Sequence, residues 1–554
     1  MNAVESQFSL NREASRKQIP TNNNSYQCIA DQHHFPKARR LRQPFEFRGR
    51  RHSRQRPQSG WRFGSGLFAL LAVFPFVARP VEVGRITVSL EHSQPVLHWT
   101  NRIGQAYRIQ TTTNLTAPAW ETRASITTDA ADLAWADDSQ PGPAVFYRVA
   151  LCTNPAPFQG LQQALQRGRT NQGIVGASAA AVVPNHGLWL GTSGYSHDTV
   201  PIRPQTRFEI ASVTKTFVAT TVLRLVEEGR VSLDDTVGRW LPTLNCSNIS
   251  PAITIRQLLN HRAGTYNFGD ETDLWLALSA DWFRHWQPEE VLNYVKAPYF
   301  PPDADGEYSN TGYVLLGMII RSVTGSTVAA EMRRTVLDRA GLRSTFLGAD
   351  EDWRGDLAHP HADFDGDGIH EDRGGYSQTA ILSSFWTSGA EVSVPGDLAR
   401  FGSALFEGGL LNGSSLAAMR TFQSLDIVGT RYDYGLGLMR LTILGREHWV
   451  HSGGLPGEYA WLSYCPSTGV SLAVAYNYPQ TKATGPSLPG ELLIFLSTLK
   501  GSPIGIGNSW RQNGGFALKS SPRPKSGAEA TRTPNAGARF LRPCASRSAW
   551  SACD

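Results

Sequence analysis

The chain has 554 residues, too long for one ordinary domain, and its formal charge of +6 is unevenly spread. Residues 1–155 carry 19 basic against 11 acidic side chains and residues 501–554 carry 8 against 2, whereas residues 156–500 carry 26 against 34. An acidic body with basic ends excludes a nucleic-acid-binding core, where positive charge lines the folded surface; the six cysteines form no CxxC pair, which excludes a zinc ribbon or a thioredoxin-like redox motif.

Residues 1–62 are rich in Arg, Gln, Asn and Ser and read as a disordered basic leader. An apolar run, GSGLFALLAVFPFVA (Gly64–Ala78), follows Arg62 and precedes Arg79, so residues 63–79 match the hydrophobic region of an export signal better than a membrane span, which needs ~20 apolar residues. The expectation is a secreted or periplasmic protein, with an uncleaved anchor as the alternative and no stable span; the long leader and bulky Phe76 depart from a standard signal. Residues 85–151 change character: ITVSLEH, PVLHWT, AYRIQTTT, ADLAWAD and VFYRVAL predict the strands of a small all-β module.

CTNPAP (152–157) leads into a main domain over 156–500. IVGASAAAVV and LWLGTSGYS predict a hairpin turning at Pro184–Gly187, and YGLGLMRLTIL, HWVHSGG, YAWLSYCP and VSLAVAYNY return to strands after a mostly helical middle. The expected fold is α+β: an antiparallel sheet flanked by helices, with an all-helical subdomain between its terminal strands and the small β-module ahead of it. Residues 501–554 read as a disordered basic tail. A Cys246–Cys465 disulfide is left open by the sequence.

Ser212 lies at the predicted start of the helix TFVATTVLRLVEEG, and Lys215 follows one turn later on the same face. A helix N-terminus favours a developing oxyanion, and a lysine in a dry pocket loses its proton readily enough to act as a base. By itself the pair also suits an N-capping serine with a surface lysine. Two further groups sharpen it: Tyr308-Ser309-Asn310, leading into the apolar helix YVLLGMIIRSV, and His451-Ser452-Gly453 at the end of HWVHSGG.

Serine-plus-lysine, Tyr-x-Asn and [Lys/His]-x-Gly, in that order, resemble the penicillin-recognising serine hydrolases: class C β-lactamases, D-Ala-D-Ala carboxypeptidases and related esterases. FEIASVTKTFVAT, VEEGRVSLDD, ITIRQLLNHRAG, YSNTGYVLLG, YGLGL and HSGGLPG carry the likeness across about 158–480. The resemblance implies a nucleophile at Ser212, a base at Lys215 and a Tyr308 that shares that role, its phenol easier to ionise beside an ammonium. It also implies substrate contacts from Asn310, His451 and Gly453, and an oxyanion hole from the backbone N–H groups of Ser212 and Gly454. Histidine where dedicated β-lactamases have lysine removes a permanent charge for a substrate carboxylate; this leans the expectation toward a carboxypeptidase or esterase, with a β-lactamase or a penicillin-binding receptor without turnover as alternatives. The partner is a small molecule or peptide with an amide or ester carbonyl, and no cofactor is required. The β-module is loosely similar to fibronectin-III-like modules.

Asp363, Asp365 and Asp367, followed by Gly368, match the first half of a calcium loop, but loop position twelve is Gly374 rather than Glu. A structural calcium site and a solvated acidic loop are the two readings; zinc at His359, His361 and His370 is less favoured than either. Trp275, Trp282, Phe283, Trp286, Tyr294 and Tyr299 belong either to a cleft wall or to the core of the helical subdomain.

Overall fold

The computed structural model describes residues 86–91, 94–137, 145–353, 355–362, 371–372, 374, 379–427, 429–477 and 486–499. The apolar run Gly64–Ala78, the calcium-loop residues Asp363, Asp365 and Asp367, and both terminal tails lie outside these residues.

The N-terminal strands are β1 (Thr87–Glu91), β2 (Gln94–Thr100), β3 (Tyr107–Thr112), β4 (Glu121–Thr128), β5 (Asp132–Ala136) and β6 (Phe146–Leu151). They form two antiparallel layers, β1-β2-β5 and β4-β3-β6. Alternation puts Leu97, Trp99, Tyr107, Ile109, Ile126, Leu133 and Trp135 into one apolar core, with Trp99 edge-on to Tyr107 at 5.7 Å.

Helix α1 (Ala156–Asn171) then leads into β7 (Gly176–Val183) and β8 (Gly187–His197), a hairpin whose turn is eased by left-handed Asn185 and Gly187. After the helical region come β9 (Gln423–Ile427), β10 (Thr430–Tyr434), β11 (Met439–Ile443), β12 (Arg446–Leu455), β13 (Glu458–Cys465) and β14 (Val470–Asn477). The sheet order is β9-β10-β11-β12-β13-β14-β7-β8-β4-β3-β6. The last strand of the domain thus pairs with its first, Asn477 opposite Gly176.

The β-module is not a detached spacer. β4 runs parallel to β8, pairing Ser125–Thr128 with Trp189–Thr192, so β4, β3 and β6 continue the main sheet. The seam is buried and hydrogen-bonded: Trp189 Nε1 donates to Thr127 Oγ1 (2.9 Å), Thr127 Oγ1 to Gln162 Oε1 (2.9 Å), and Gln162 Nε2 to Thr192 O (2.8 Å). It also covers what would be an open edge of β8.

Both faces of the central strands are buried, and residues alternate between two cores. Leu472 and Val474 of β14 face α1 and α5 (Leu488–Thr498), while Ala473 and Ala475 face the opposite layer, where α4 (Pro395–Phe406) packs. Between β8 and β9 lies the helical region, centred on α2 (Thr214–Glu227) and α3 (Asn310–Thr324). Among the described residues no single helix is long and apolar enough to cross a membrane. Cys246 and Cys465 are both free thiols, which removes the disulfide reading. The aromatic group divides: Trp286 is core, whereas Phe283 and Tyr299 are exposed.

Candidate active site

One turn of 3-10 helix, Ala211–Val213, leads into α2 and carries Ser212 at its centre. Ala211 is held left-handed (φ 47°), a conformation that costs a non-glycine residue energy and turns the serine toward β12. β12 passes so close that a Cβ on Gly453 would run into Ile210 O and Ser212 N. Glycine is therefore required there, and it lets the Ser212 backbone pack directly against the strand segment that ends in exposed Gly454.

Lys215 is completely buried. Its Nζ lies 2.7 Å from Asn310 Oδ1, 2.7 Å from Ser388 O and 3.0 Å from Ser212 Oγ. Burial drives its pKa well below the ordinary lysine value, and among the described residues no carboxylate pairs with it. A neutral amine has two hydrogens and one lone pair. The two carbonyl oxygens accept the hydrogens, and the lone pair is left for the proton of Ser212. The geometry is that of a general base at rest.

Tyr308 is held by backbone bonds on both sides: Glu307 N to His261 O (3.1 Å) and Tyr308 N to Asp426 O (3.1 Å). Its hydroxyl interacts with Ser212, and the Lys215 amine sits over its ring, 4.7 Å from the centroid. Burial raises the phenol's pKa above the ordinary tyrosine range, with the Ser212 contact opposing it. This corrects the expectation of an easily ionised phenol: the neighbouring amine is neutral, so the low dielectric decides, and Tyr308 rests as a proton donor. Asn310 opens α3, its N–H donating to Asn267 Oδ1 at 2.9 Å.

His451 is 1% exposed rather than on the cleft edge. Its Nδ1 donates to Ser452 O (2.7 Å), because a carbonyl can only accept, so Nε2 is left to accept from the Tyr434 hydroxyl at 3.0 Å. Burial and the proximity of Lys215 lower its pKa to about 3, so the imidazole is neutral at any ordinary pH.

The structure thus brings Ser212, Lys215, Tyr308, Asn310, His451, Gly453 and Gly454 together. Sequence reasoning missed Ser388, which acts through a backbone carbonyl and leaves no side-chain signal. It also missed His261 and Tyr434, whose rings lie 4.3 and 6.4 Å from that of Tyr308; both sit in quoted phrases, NHRAG and YGLGL, whose roles were not assigned. Of the zinc candidates, His370 lies outside the described residues, while His359 bonds Asp372 (2.9 Å) and stacks on His197, and His361 bonds Ser196 O (2.8 Å). Among the described residues no group of His, Cys, Asp or Glu forms a metal site.

A serine beside a neutral lysine base and a protonated tyrosine defines an acyl-transferring serine hydrolase. The chain belongs to the beta-lactamase family, whose Beta-lactamase model matches residues 161–493. It is similar to penicillin-binding protein 4* of Bacillus subtilis (strain 168), 26% identical over 53% of this chain and 64% of that protein, and to esterase EstB of Burkholderia gladioli, 33% identical over 33% and 48%. The chain therefore spans less than two thirds of the length of these curated relatives. Similar solved structures include a D-stereospecific amidohydrolase from Streptomyces sp. (30% identity, TM-score 0.51, covering 57% of this chain and 93% of that one). Another is D-amino acid amidase from Ochrobactrum anthropi SV3 complexed with D-phenylalanine (26%, TM-score 0.55, 62% and 100%).

Proposed function

We propose that this enzyme cleaves small esters or amides whose leaving side carries no carboxylate, through an acyl-enzyme on Ser212. The observation that carries this reading is His451, neutral and hydrogen-bonded to Tyr434 at the position where a dedicated β-lactamase has a cation. Arg431, on β10 beside the Tyr308 segment, does not replace that charge, since Asp305 holds it through two bonds of 2.6 and 2.7 Å. The likeness to an esterase and to D-amino acid amidase supports the same choice over a D-Ala-D-Ala carboxypeptidase.

In the proposed cycle Lys215 takes the Ser212 proton as Oγ attacks the carbonyl carbon. The N–H groups of Ser212 and Gly454 hold the oxyanion. Tyr308 gives its proton to the leaving amine or alkoxide, and the proton on Lys215 replaces it. Water then enters by the reverse route and releases the acid.

The test compares kcat/KM on a p-nitrophenyl ester, a D-amino acid amide, a D-Ala-D-Ala peptide and an anionic cephalosporin. The neutral substrates are expected to lead. His451→Lys, whose long side chain can carry a charge toward the cleft, should improve the anionic substrates by about one to two powers of ten, the worth of one charge-assisted hydrogen bond. Equal changes on charged and uncharged substrates would show that position 451 does not read a carboxylate.

A further inference from the structure

On the sheet face opposite His451, a small cavity opens between the ends of β12 and β13 and helix α5. It holds about 30 Å³ and is lined by Cys465, His448, Arg446 and Thr468, with Leu493 and Leu496 of α5 across from them. Trp449 pairs with Tyr464, so the next cross-strand pair brings His448 opposite Cys465, where side chains on one face meet. Arg446 and His448 are two apart on β12 and share that face. Cys465 Sγ also lies 3.4 Å from Ser467 Oγ.

Two features of this cavity lack a structural explanation. His448 is 5% exposed, yet its Nδ1 has no hydrogen-bond partner, and the buried Nη1 of Arg446 has none either. Leaving a buried polar nitrogen without a partner is costly, so a pair lining one cavity points to an acceptor that belongs there. The cavity has room for a group the size of one water molecule or one added oxygen. Burial raises the Cys465 thiol's pKa, but hydrogen bonding from His448, Ser467 and Thr468 outweighs it and brings the value down to about 6. Cys152 is buried to a similar degree, and there burial wins and the pKa is raised.

We propose that Cys465 is a site of oxidation by small hydroperoxides, with His448 and Arg446 receiving the oxygen added to its sulfur. The thiol first passes its proton to His448. The thiolate then attacks one peroxide oxygen: an S–O bond forms as the O–O bond breaks, and two electrons pass from sulfur to peroxide. The departing hydroxide or alkoxide takes the proton from His448 and leaves as water or alcohol, with the sulfenic acid in the cavity. The hydrolytic site lies on the other face of β12 and takes no part in this step.

The experiment treats the full chain with hydrogen peroxide, traps sulfenic acid with dimedone, and reads each cysteine by peptide mass spectrometry. Cys465 is expected to label about tenfold or more faster than Cys152 and Cys246 in the same molecules. His448→Gln and Arg446→Gln should each slow that labelling severalfold, while fluorophosphonate labelling of Ser212 reports that the variants remain folded. Labelling of Cys465 no faster than of Cys152 overturns the proposal with no variant needed. Rates unchanged in both folded variants overturn the assigned roles of His448 and Arg446.

Discussion

Replacing Asn310 with Asp keeps an oxygen where Lys215 now finds Asn310 Oδ1 at 2.7 Å and changes little but its charge. In the present site burial alone depresses the Lys215 pKa, so the amine is neutral and ready at neutral pH. A carboxylate beside it favours the ammonium. At a charge separation of about 4 Å and an effective dielectric of ~20 the attraction is about 4 kcal/mol, or roughly three pKa units before the new anion's own desolvation is subtracted. A net rise of about two units is the working figure. The base acts only above its pKa, so the rise removes activity from the acid side of the profile and returns it as pH increases. The assay is the pH dependence of kcat/KM on a neutral p-nitrophenyl ester for both forms of the enzyme. The acid limb should move upward by about two units, with up to about a hundredfold loss on that limb and convergence toward alkaline pH. A uniform loss at every pH would mean that Asn310 only shapes the pocket. An unmoved limb, with activity intact, would mean that Lys215 is not the base.

Other consequences are simpler to measure. Ser212→Ala should abolish turnover and fluorophosphonate labelling while leaving the circular dichroism spectrum and Tm unchanged, because Ser212 is only partly buried and fills no core. Gly453→Ala should destabilise the fold by about 1–3 kcal/mol and cut kcat, since its methyl group must displace the Ser212 turn. A chain beginning at residue 156 should melt below one beginning at residue 86 and aggregate more readily, because removing β4 strips Trp189 of its Thr127 partner and bares the edge of β8.

Much of the site was legible in the sequence because its chemistry depends on side-chain type at short spacing. Ser212 and Lys215 are one helical turn apart, Tyr308 and Asn310 flank a helix start, and Gly453 is demanded by a close approach. What stayed hidden depends on three-dimensional surroundings. The spacing of His-x-Gly does not reveal that His451 is buried against Tyr434, and the expectation that an ammonium would ease ionisation of Tyr308 failed because burial leaves Lys215 neutral. The strands of residues 85–151 were readable from β-branched and aromatic runs. Their parallel pairing with β8 was not, because it joins strands across an intervening helix and has no turn residues to mark it.

The sheet's closure by its own last strand bears on when activity can arise during synthesis. Ser212, Lys215 and their helix emerge long before β12 and β14, and Gly176 donates to the side chain of Asn477 across 301 residues of chain. Contacts of such long range form slowly, after most of the loop entropy has been surrendered. Until they do, the serine has no Gly454 beside it and its oxyanion hole is half made. A partly synthesised or C-terminally clipped chain therefore carries a nucleophile without a working catalyst, and hydrolysis becomes a readout of completed folding.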